Sequence, residues 1–135
     1  MGGITILEIL QSQPAVLSRL QRLILQPNVA AAQVRYWLVA NYWQIVDEAL
    51  VADNEIIYEI IVAEPGSMPP LTPVQAEIGP VLLVKRPPEF KARVRTAIAE
   101  RQYVASQLAR STSKAAASKR QRLLQEISML ETLLS

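Results

Sequence analysis

The spacing of apolar residues predicts two helices in the first third of the chain. Ser12 and Pro14 follow a short apolar segment, and they suit a helix cap and a first helical turn. Apolar residues then recur at three- and four-residue spacing, which predicts a helix over residues 14–25. A second helix is predicted over residues 29–52, where almost every side is apolar. A helix of that kind is central in its fold or covered by another chain.

Aromatic residues are concentrated in this second predicted helix, as Tyr36, Trp37, Tyr42 and Trp43. The two Tyr-Trp pairs are six residues apart, so they would lie on nearly opposite sides of a helix. One pair could then face the core while the other meets a neighbouring chain, where Tyr and Trp are common anchors. Burial of all four within the chain's own core is the equally supported alternative. The four residues are therefore candidates for a protein interface.

Residues 55–63 carry two conflicting signals. Their β-branched content favours a strand. The four-residue spacing of Glu55 and Glu59 favours a helix, because a strand would place Glu59 on the same face as Ile57 and Ile61. We therefore predict a helix, with a strand that pairs with residues 81–84 as the alternative.

The rest of the chain is predicted to be a connector and a helical arm. Residues 65–88 are rich in proline, although Thr72 and Gln75 form a capping-box pattern that predicts a short helix to Ile78. A basic helical part follows over residues 89–135, with a weak point at 111–113. Its last stretch has coiled-coil-like spacing and supplies four more interface candidates: Leu123, Ile127, Leu130 and Leu134.

These elements predict a mainly α fold, a small helical domain with a proline-rich connector and a long C-terminal helical arm. The alternative is an α+β fold with a short two-stranded element at 55–63 and 81–84. The parts are an acidic, apolar helical part (1–64), the connector (65–88) and the basic helical part (89–135), expected to form one cooperative domain.

Charge is divided unevenly along the chain. Residues 1–84 hold three basic and eight acidic side chains, a net charge of −5, whereas residues 85–135 hold eleven basic and four acidic ones, a net charge of +7. The split would let acidic and basic surfaces of different copies associate. It would also let the C-terminal half contact a polyanion such as nucleic acid. The candidates for polyanion contact are Arg93, Arg95, Arg101, Arg110, Lys114, Lys119, Arg120 and Arg122.

The inventory of reactive groups is small. The chain has no cysteine and no histidine, which excludes disulfides, thiolate or imidazole metal ligands and histidine acid–base catalysis. The four glycines form no phosphate-binding loop, and Glu55 and Glu59 fit a solvated helix face better than a carboxylate catalytic pair. We therefore predict no catalytic, cofactor-binding or metal-binding residue, no cofactor, and a protein that is not an enzyme.

Membrane insertion is not expected. The start of the chain lacks the basic residues of a signal peptide. The most apolar stretch, residues 29–46, contains Arg35, Asn41 and Gln44 and falls short of the about 20 apolar residues that a spanning helix needs. The expected location is the cytoplasm, or a particle assembled there.

These features together favour a structural or assembly subunit of a larger complex. Other protein chains are the expected partners, in a homo-oligomer or a hetero-complex, and connector or adaptor proteins of virus particles are examples of the type. The alternative is a nucleic-acid-associated protein that uses the basic C-terminal helices.

Overall fold

The computed structural model describes residues 2–135. The chain forms two compact units, Met1–Glu89 and Phe90–Ser135. The first unit contains a sheet with helices, and the second contains helices alone.

A three-stranded sheet organises the first unit. Its strands are β1 (Leu23–Leu25), β2 (Trp43–Asp53) and β3 (Ile56–Pro65), in the order β1-β3-β2. Both outer strands pair antiparallel with β3, so β1 and β2 run in the same direction. The prediction of a mainly α fold is therefore wrong.

A β-bulge interrupts β2, which lies within the helix predicted over residues 29–52. The register of β2 against β3 shifts between Ile45 and Asp47, so one extra residue enters the strand. The buried positions then fall at Trp43, Ile45, Glu48 and Leu50. The step of three across the bulge imitates helical spacing. The predicted helix over residues 29–52 therefore ends at Ala40.

The strand β3 is regular, but it carries a carboxylate on its buried face. Glu59, Ile61 and Ala63 alternate with less buried residues, as in an ordinary half-buried strand. Glu59 was the reason for preferring a helix at 55–63, and that prediction is wrong because a buried cation accompanies the carboxylate. The alternative two-stranded element is also wrong, since residues 81–84 lie in a helix and β3 pairs with β1 and β2.

Within residues 2–89, five helices complete the first unit. They are α1 (Gly3–Ser12), α2 (Pro14–Leu17), α3 (Ala31–Ala40), α4 (Pro73–Ile78) and α5 (Pro80–Lys85). The helix predicted over residues 14–25 is wrong beyond Leu17, because residues 23–25 form β1. The predicted capping box of α4 is confirmed: the Thr72 side chain accepts from the Gln75 amide, and the Gln75 side chain accepts from the Thr72 amide.

The core of the first unit lies between the sheet and its helices. Val34 and Leu38 of α3 pack with Ile61 and Ala63 of β3, and all four are fully buried. Burial of a large aliphatic side chain stabilises the fold by roughly 1.5–3 kcal/mol.

The second unit is a pair of helices joined by a short turn. They are α6 (Phe90–Leu108) and α7 (Lys114–Glu131), followed by a 3-10 turn at Thr132–Leu134. The predicted weak point is confirmed, since residues 111–113 separate the helices and Ser113 caps α7 by accepting from the Ala116 amide. We call this unit the helical hairpin.

Across residues 2–135, no helix combines the length and the apolar character needed to cross a membrane. The most apolar stretch, residues 29–46, is divided between α3 and β2.

Candidate functional site

The loop that follows β1 meets the start of α1. Residues 26–30 connect β1 to α3, and the Gly3 amide donates a 2.8 Å hydrogen bond to the Val29 carbonyl. Ala30 adopts the left-handed conformation, with φ of 59°, as it leads into α3. In open α/β sheets, ligands bind at the carboxyl ends of the strands. This junction, which we call the strand-end site, is therefore the first candidate for function.

At the strand-end site, the backbone at Gly3 lies very close to the backbone of the loop after β1. A Cβ atom on Gly3 would lie 2.1 Å from the Val29 carbonyl oxygen and 2.9 Å from that of Ala30. Because both obstacles are backbone atoms, neither can swing aside, and the position requires glycine. Pro27 is buried in the same loop and restricts its backbone.

Two exposed amide side chains lie in this loop. Gln26 and Asn28 flank the buried Pro27, and both are open to solvent. Each amide offers donors and an acceptor, the combination that pairs with nucleobase edges or ribose hydroxyls. The strand-end site can therefore bind a polar, uncharged group, although it holds no acid or base of its own within residues 26–30.

A buried ion-pair network lies under the sheet. The Nε of Arg35 donates to Oε2 of Glu48 at 2.7 Å, and both side chains are fully buried. Another guanidinium nitrogen of Arg35 lies 3.5 Å from Oε1 of Glu59, and a third donates to the Ala76 and Glu77 carbonyls at 2.8 and 3.2 Å. The network therefore ties α3 to β2, β3 and α4.

Glu48 extends this network to α5. Its Oε1 accepts from the amides of Val81 and Leu82 at 2.8 and 3.3 Å. Burial raises the pKa of the Glu48 carboxyl above its usual value, and the neighbouring Arg35 charge opposes that rise only in part. Within residues 2–135 no cluster of side chains could hold a metal ion. With every buried polar atom of the described side chains satisfied, the geometry assigns this network a structural role.

The aromatic interface candidates do not share one helix. Tyr36 and Trp37 lie in α3, Tyr42 lies in the turn after it, and Trp43 begins β2. Trp43 is buried in the core, Trp37 is half-buried against it, and Tyr36 and Tyr42 are 45% and 74% exposed. The structure therefore leaves two of the four rings open to a neighbour.

The aliphatic interface candidates lie in the helical hairpin. Ile127 and Leu130 are buried, whereas Leu123 and Leu134 are half-buried. The spacing of Leu123, Ile127 and Leu130 places them on one side of α7, and Leu134 lies in the 3-10 turn that follows it.

Six of the eight polyanion candidates are exposed to solvent. We call them the hairpin cations: Arg95, Arg110, Lys114, Lys119, Arg120 and Arg122. The other two are less accessible. Arg101 donates to Glu126 and to the Ala97 carbonyl, both at 3.1 Å, and so joins α6 to α7. Arg93 is half-buried and has an interaction of its own.

Sequence reasoning missed the strand-end site and the ion-pair network. One signal for the network was present, because Arg35 is the only charged residue in an apolar segment of 18 residues, 29–46. A lone charge at such a position indicates a buried partner. The partner Glu59 was instead assigned to a solvated face of a helix that does not form.

The fold and the strand-end site together define a class. The parallel strands β1 and β2 are joined through α3, and β3 lies antiparallel between them. This arrangement forms part of a Rossmann-like α/β sheet. The comparison with known families is more specific. Residues 1–132 match the TrmK family, described as tRNA (adenine(22)-N(1))-methyltransferase, and the chain belongs to that family.

Individual relatives agree with this family. The tRNA (adenine(22)-N(1))-methyltransferase of Bacillus subtilis is 39% identical over 66 residues, which cover 49% of this chain and 28% of that protein. An uncharacterized protein from Listeria monocytogenes superposes with a TM-score of 0.87 at 33% identity, covering 100% of this chain and 60% of the other. A Streptococcus pneumoniae protein solved in complex with S-adenosyl-L-methionine superposes with a TM-score of 0.80 at 31% identity, covering 100% and 57%. This chain thus spans less than two thirds of each relative.

The family overturns the sequence-based function. TrmK proteins are described as enzymes that act on tRNA, so the predictions of a non-enzymatic structural subunit and of a virus-particle component are wrong. The alternative of a nucleic-acid-associated protein without an enzymatic role is also not the best fit. The prediction of nucleic acid as a possible partner agrees with the family. The family description does not support the prediction of an oligomer.

Proposed function

We propose that this chain forms part of an enzyme that methylates N1 of adenine 22 in tRNA. The observation that carries the proposal is the family match over residues 1–132, nearly the whole chain. The superposition of the whole chain on longer relatives supports it independently of sequence. A tRNA substrate also agrees with the cytoplasmic location expected from the sequence, and gives no reason to expect incorporation into a particle.

The methyl donor of such an enzyme would be S-adenosyl-L-methionine, which the Streptococcus pneumoniae relative binds. A nucleoside cofactor in a Rossmann-like sheet is approached closely by a glycine-rich turn. In this chain Gly66 and Gly79 face the side chains of Gln44 and Glu48, and Gly3 faces the loop backbone. These glycines therefore have no open space for a cofactor. On this observation, the described residues do not form the cofactor site by themselves.

The hairpin cations are the proposed contacts with tRNA phosphates. The helical hairpin carries nine basic and three acidic residues, a net charge of +6 over residues 90–135. Its exposed aromatic ring, Tyr103, offers little surface for base stacking. Binding through phosphates alone positions a nucleic acid without reading its sequence, so the choice of adenine would depend on other parts of the enzyme.

The strand-end site is the proposed position of this chain's contribution to the reaction centre. The amides of Gln26 and Asn28 are suited to hydrogen bonds with a base or a ribose. Their place at the carboxyl end of β1 is the part of an α/β sheet where ligands bind.

The test is methyl transfer from S-adenosyl-L-methionine to a tRNA transcript that carries adenine at position 22. The chain is supplied together with the part of the Streptococcus pneumoniae relative that has no counterpart in it, so that a complete family fold is available. We expect labelled methyl groups on this transcript and none on a matched transcript with guanine at position 22. Equal labelling of both transcripts, or labelling of neither by a complex that has formed, would contradict the proposal.

A further inference from the structure

A hollow lined by aromatic rings lies at the end of the sheet opposite the strand-end site. Among its lining residues, Leu20 precedes β1, Trp43 begins β2 and Pro65 ends β3, so the hollow adjoins the amino ends of β1 and β2. Its volume is about 470 Å³. Sites for small molecules are concave and have volumes of roughly 300–1,000 Å³. This hollow, which we call the aromatic hollow, therefore has the size of a small-molecule site.

Three aromatic side chains line the aromatic hollow. Trp37 comes from α3, Tyr42 from the turn after that helix, and Trp43 from the start of β2. Tyr42 is 74% exposed, Trp37 is half-buried and Trp43 is buried, so aromatic surface continues from solvent towards the core. Planar ligands stack on side chains of this kind. The rings therefore favour a flat, aromatic ligand.

The backbone holds Tyr42 in a conformation that few large residues adopt. Tyr42 follows Asn41, the C-cap of α3, and has a φ of 63°. This position usually carries glycine, because a side chain is crowded in the left-handed conformation. The Tyr42 amide donates to the Val39 carbonyl at 3.4 Å, and the Gly66 amide donates to the Tyr42 carbonyl at 2.9 Å. Residues held in such conformations are concentrated at ligand sites, so this observation supports a binding role for the Tyr42 ring.

The polar groups of the aromatic hollow are uncharged. Gln11 and Asn41 each contribute a side-chain amide, and Ser18 contributes a hydroxyl. The amide nitrogen of Asn41 donates to the Trp37 carbonyl at 2.8 Å, which fixes the orientation of that amide. Among the described residues that line the hollow, none is charged. Amides match the ring nitrogens and amino groups of a heterocycle, whereas a charged ligand would lose water without gaining a counter-charge.

We propose that the aromatic hollow binds an uncharged, planar nitrogen heterocycle of the nucleoside kind. The rings of Trp37 and Tyr42 stack on the heterocycle, and the amides of Gln11 and Asn41 bind its polar edge. The hollow is separate from the strand-end site, because the two lie at opposite ends of β1. The inference goes beyond the proposed methyl transfer and does not depend on it.

The test is titration of the full chain with adenosine, followed by tryptophan fluorescence. The chain has two tryptophans, Trp37 and Trp43, and both line the hollow, so a ligand that stacks there should change their emission. We expect a saturable change. Tyr42→Gly should weaken adenosine binding about tenfold or more, because it removes one stacking ring. This variant should still fold, since glycine suits the left-handed conformation.

Two control variants locate the binding. Tyr36→Ala removes a ring on α3 that is 45% exposed and does not line the hollow, so the affinity for adenosine should stay unchanged. Asn28→Ala alters the strand-end site and should leave the fluorescence change intact. Three results would overturn the inference: no saturable change, equal affinities of Tyr42→Gly and the wild type, or loss of the change in Asn28→Ala.

Discussion

Replacing Arg35 by methionine tests whether the ion-pair network affects the free energy of unfolding because it is buried. Methionine has similar length and no charge, so the change removes the guanidinium while keeping most of the side-chain volume. The Glu48 carboxylate then loses its 2.7 Å partner but stays fully buried. The Ala76 carbonyl loses its donor as well.

Removal of one partner of a buried ion pair costs about 3–5 kcal/mol, because an uncompensated charge stays in the interior. Glu48 keeps the amides of Val81 and Leu82, which favours the lower part of that range. A domain is stable by roughly 5–15 kcal/mol in all, so the loss is a large share of the total. With a urea dependence of about 2 kcal/mol per molar, a loss of about 3 kcal/mol would lower the midpoint by about 1.5 M.

Urea unfolding followed by tryptophan fluorescence is the assay, because both tryptophans, Trp37 and Trp43, lie in the first unit. The matched control is Arg22→Met. Arg22 makes an ion pair of the same 2.7 Å length with Glu64, but the two side chains are 61% and 34% exposed. An exposed pair contributes about 0–1 kcal/mol, so the control should unfold almost as the wild type does.

Similar small losses for Arg35→Met and Arg22→Met would refute the reasoning, since the two pairs differ in burial and not in length. A second check uses the double variant Arg35→Met with Glu48→Gln. If the cost comes from the stranded carboxylate, then its replacement by a neutral amide should recover part of the lost stability.

Three further predictions concern the strand-end site, pH and the helical hairpin. Gly3→Ala should lower the free energy of unfolding by more than about 1 kcal/mol, because the new Cβ would lie 2.1 Å from the Val29 carbonyl oxygen. The control Gly2→Ala, whose Cβ would have its nearest neighbour at 3.4 Å, should be close to neutral in the same urea assay. Equal effects of the two substitutions would contradict the close approach at Gly3. The raised pKa of Glu48 means that its carboxyl group holds a proton more tightly in the folded protein than in the unfolded chain. The stability that Glu48 contributes is therefore present at low pH and is lost as the pH rises through the folded pKa. Relative to Glu48→Gln, the wild type should therefore lose stability as the pH rises from the ordinary glutamate range through the raised folded pKa. A constant difference between the two proteins in urea titrations across that rise would show that the pKa is not raised. Replacing the hairpin cations by glutamine should weaken tRNA binding and make it less dependent on salt. The slope of the logarithm of the binding constant against the logarithm of the salt concentration should become shallower by up to about 0.9 for each phosphate that the variant no longer neutralises. An unchanged slope in fluorescence anisotropy would exclude binding of phosphates by these side chains.

Local signals along the chain determined several elements by themselves. The capping box at Thr72 predicts the start of α4, and Ser111 to Ser113 predict the break between α6 and α7. These features depend on hydrogen bonds between residues three or fewer apart, so the chain sequence contains all that they need. The uneven distribution of charge is also a property of sequence alone.

The sheet depended on contacts that no local window contains. The bulge in β2 gave Ile45 and Glu48 a helix-like spacing, and only pairing with β3 shows that both face inward from a strand. Glu59 could occupy the buried face of β3 only because Arg35, 24 residues earlier, lies against it. In each case the decisive partner is distant in sequence, so tertiary pairing overrode the local pattern.

The candidate site was hidden for the same reason. Gly3 and Val29 are 26 residues apart, and neither has a sequence feature that indicates their contact. The sequence determined which residues are apolar, charged or able to cap a helix. Only the tertiary structure decided that the end of β1 meets the start of α1, because that contact depends on how distant segments pack.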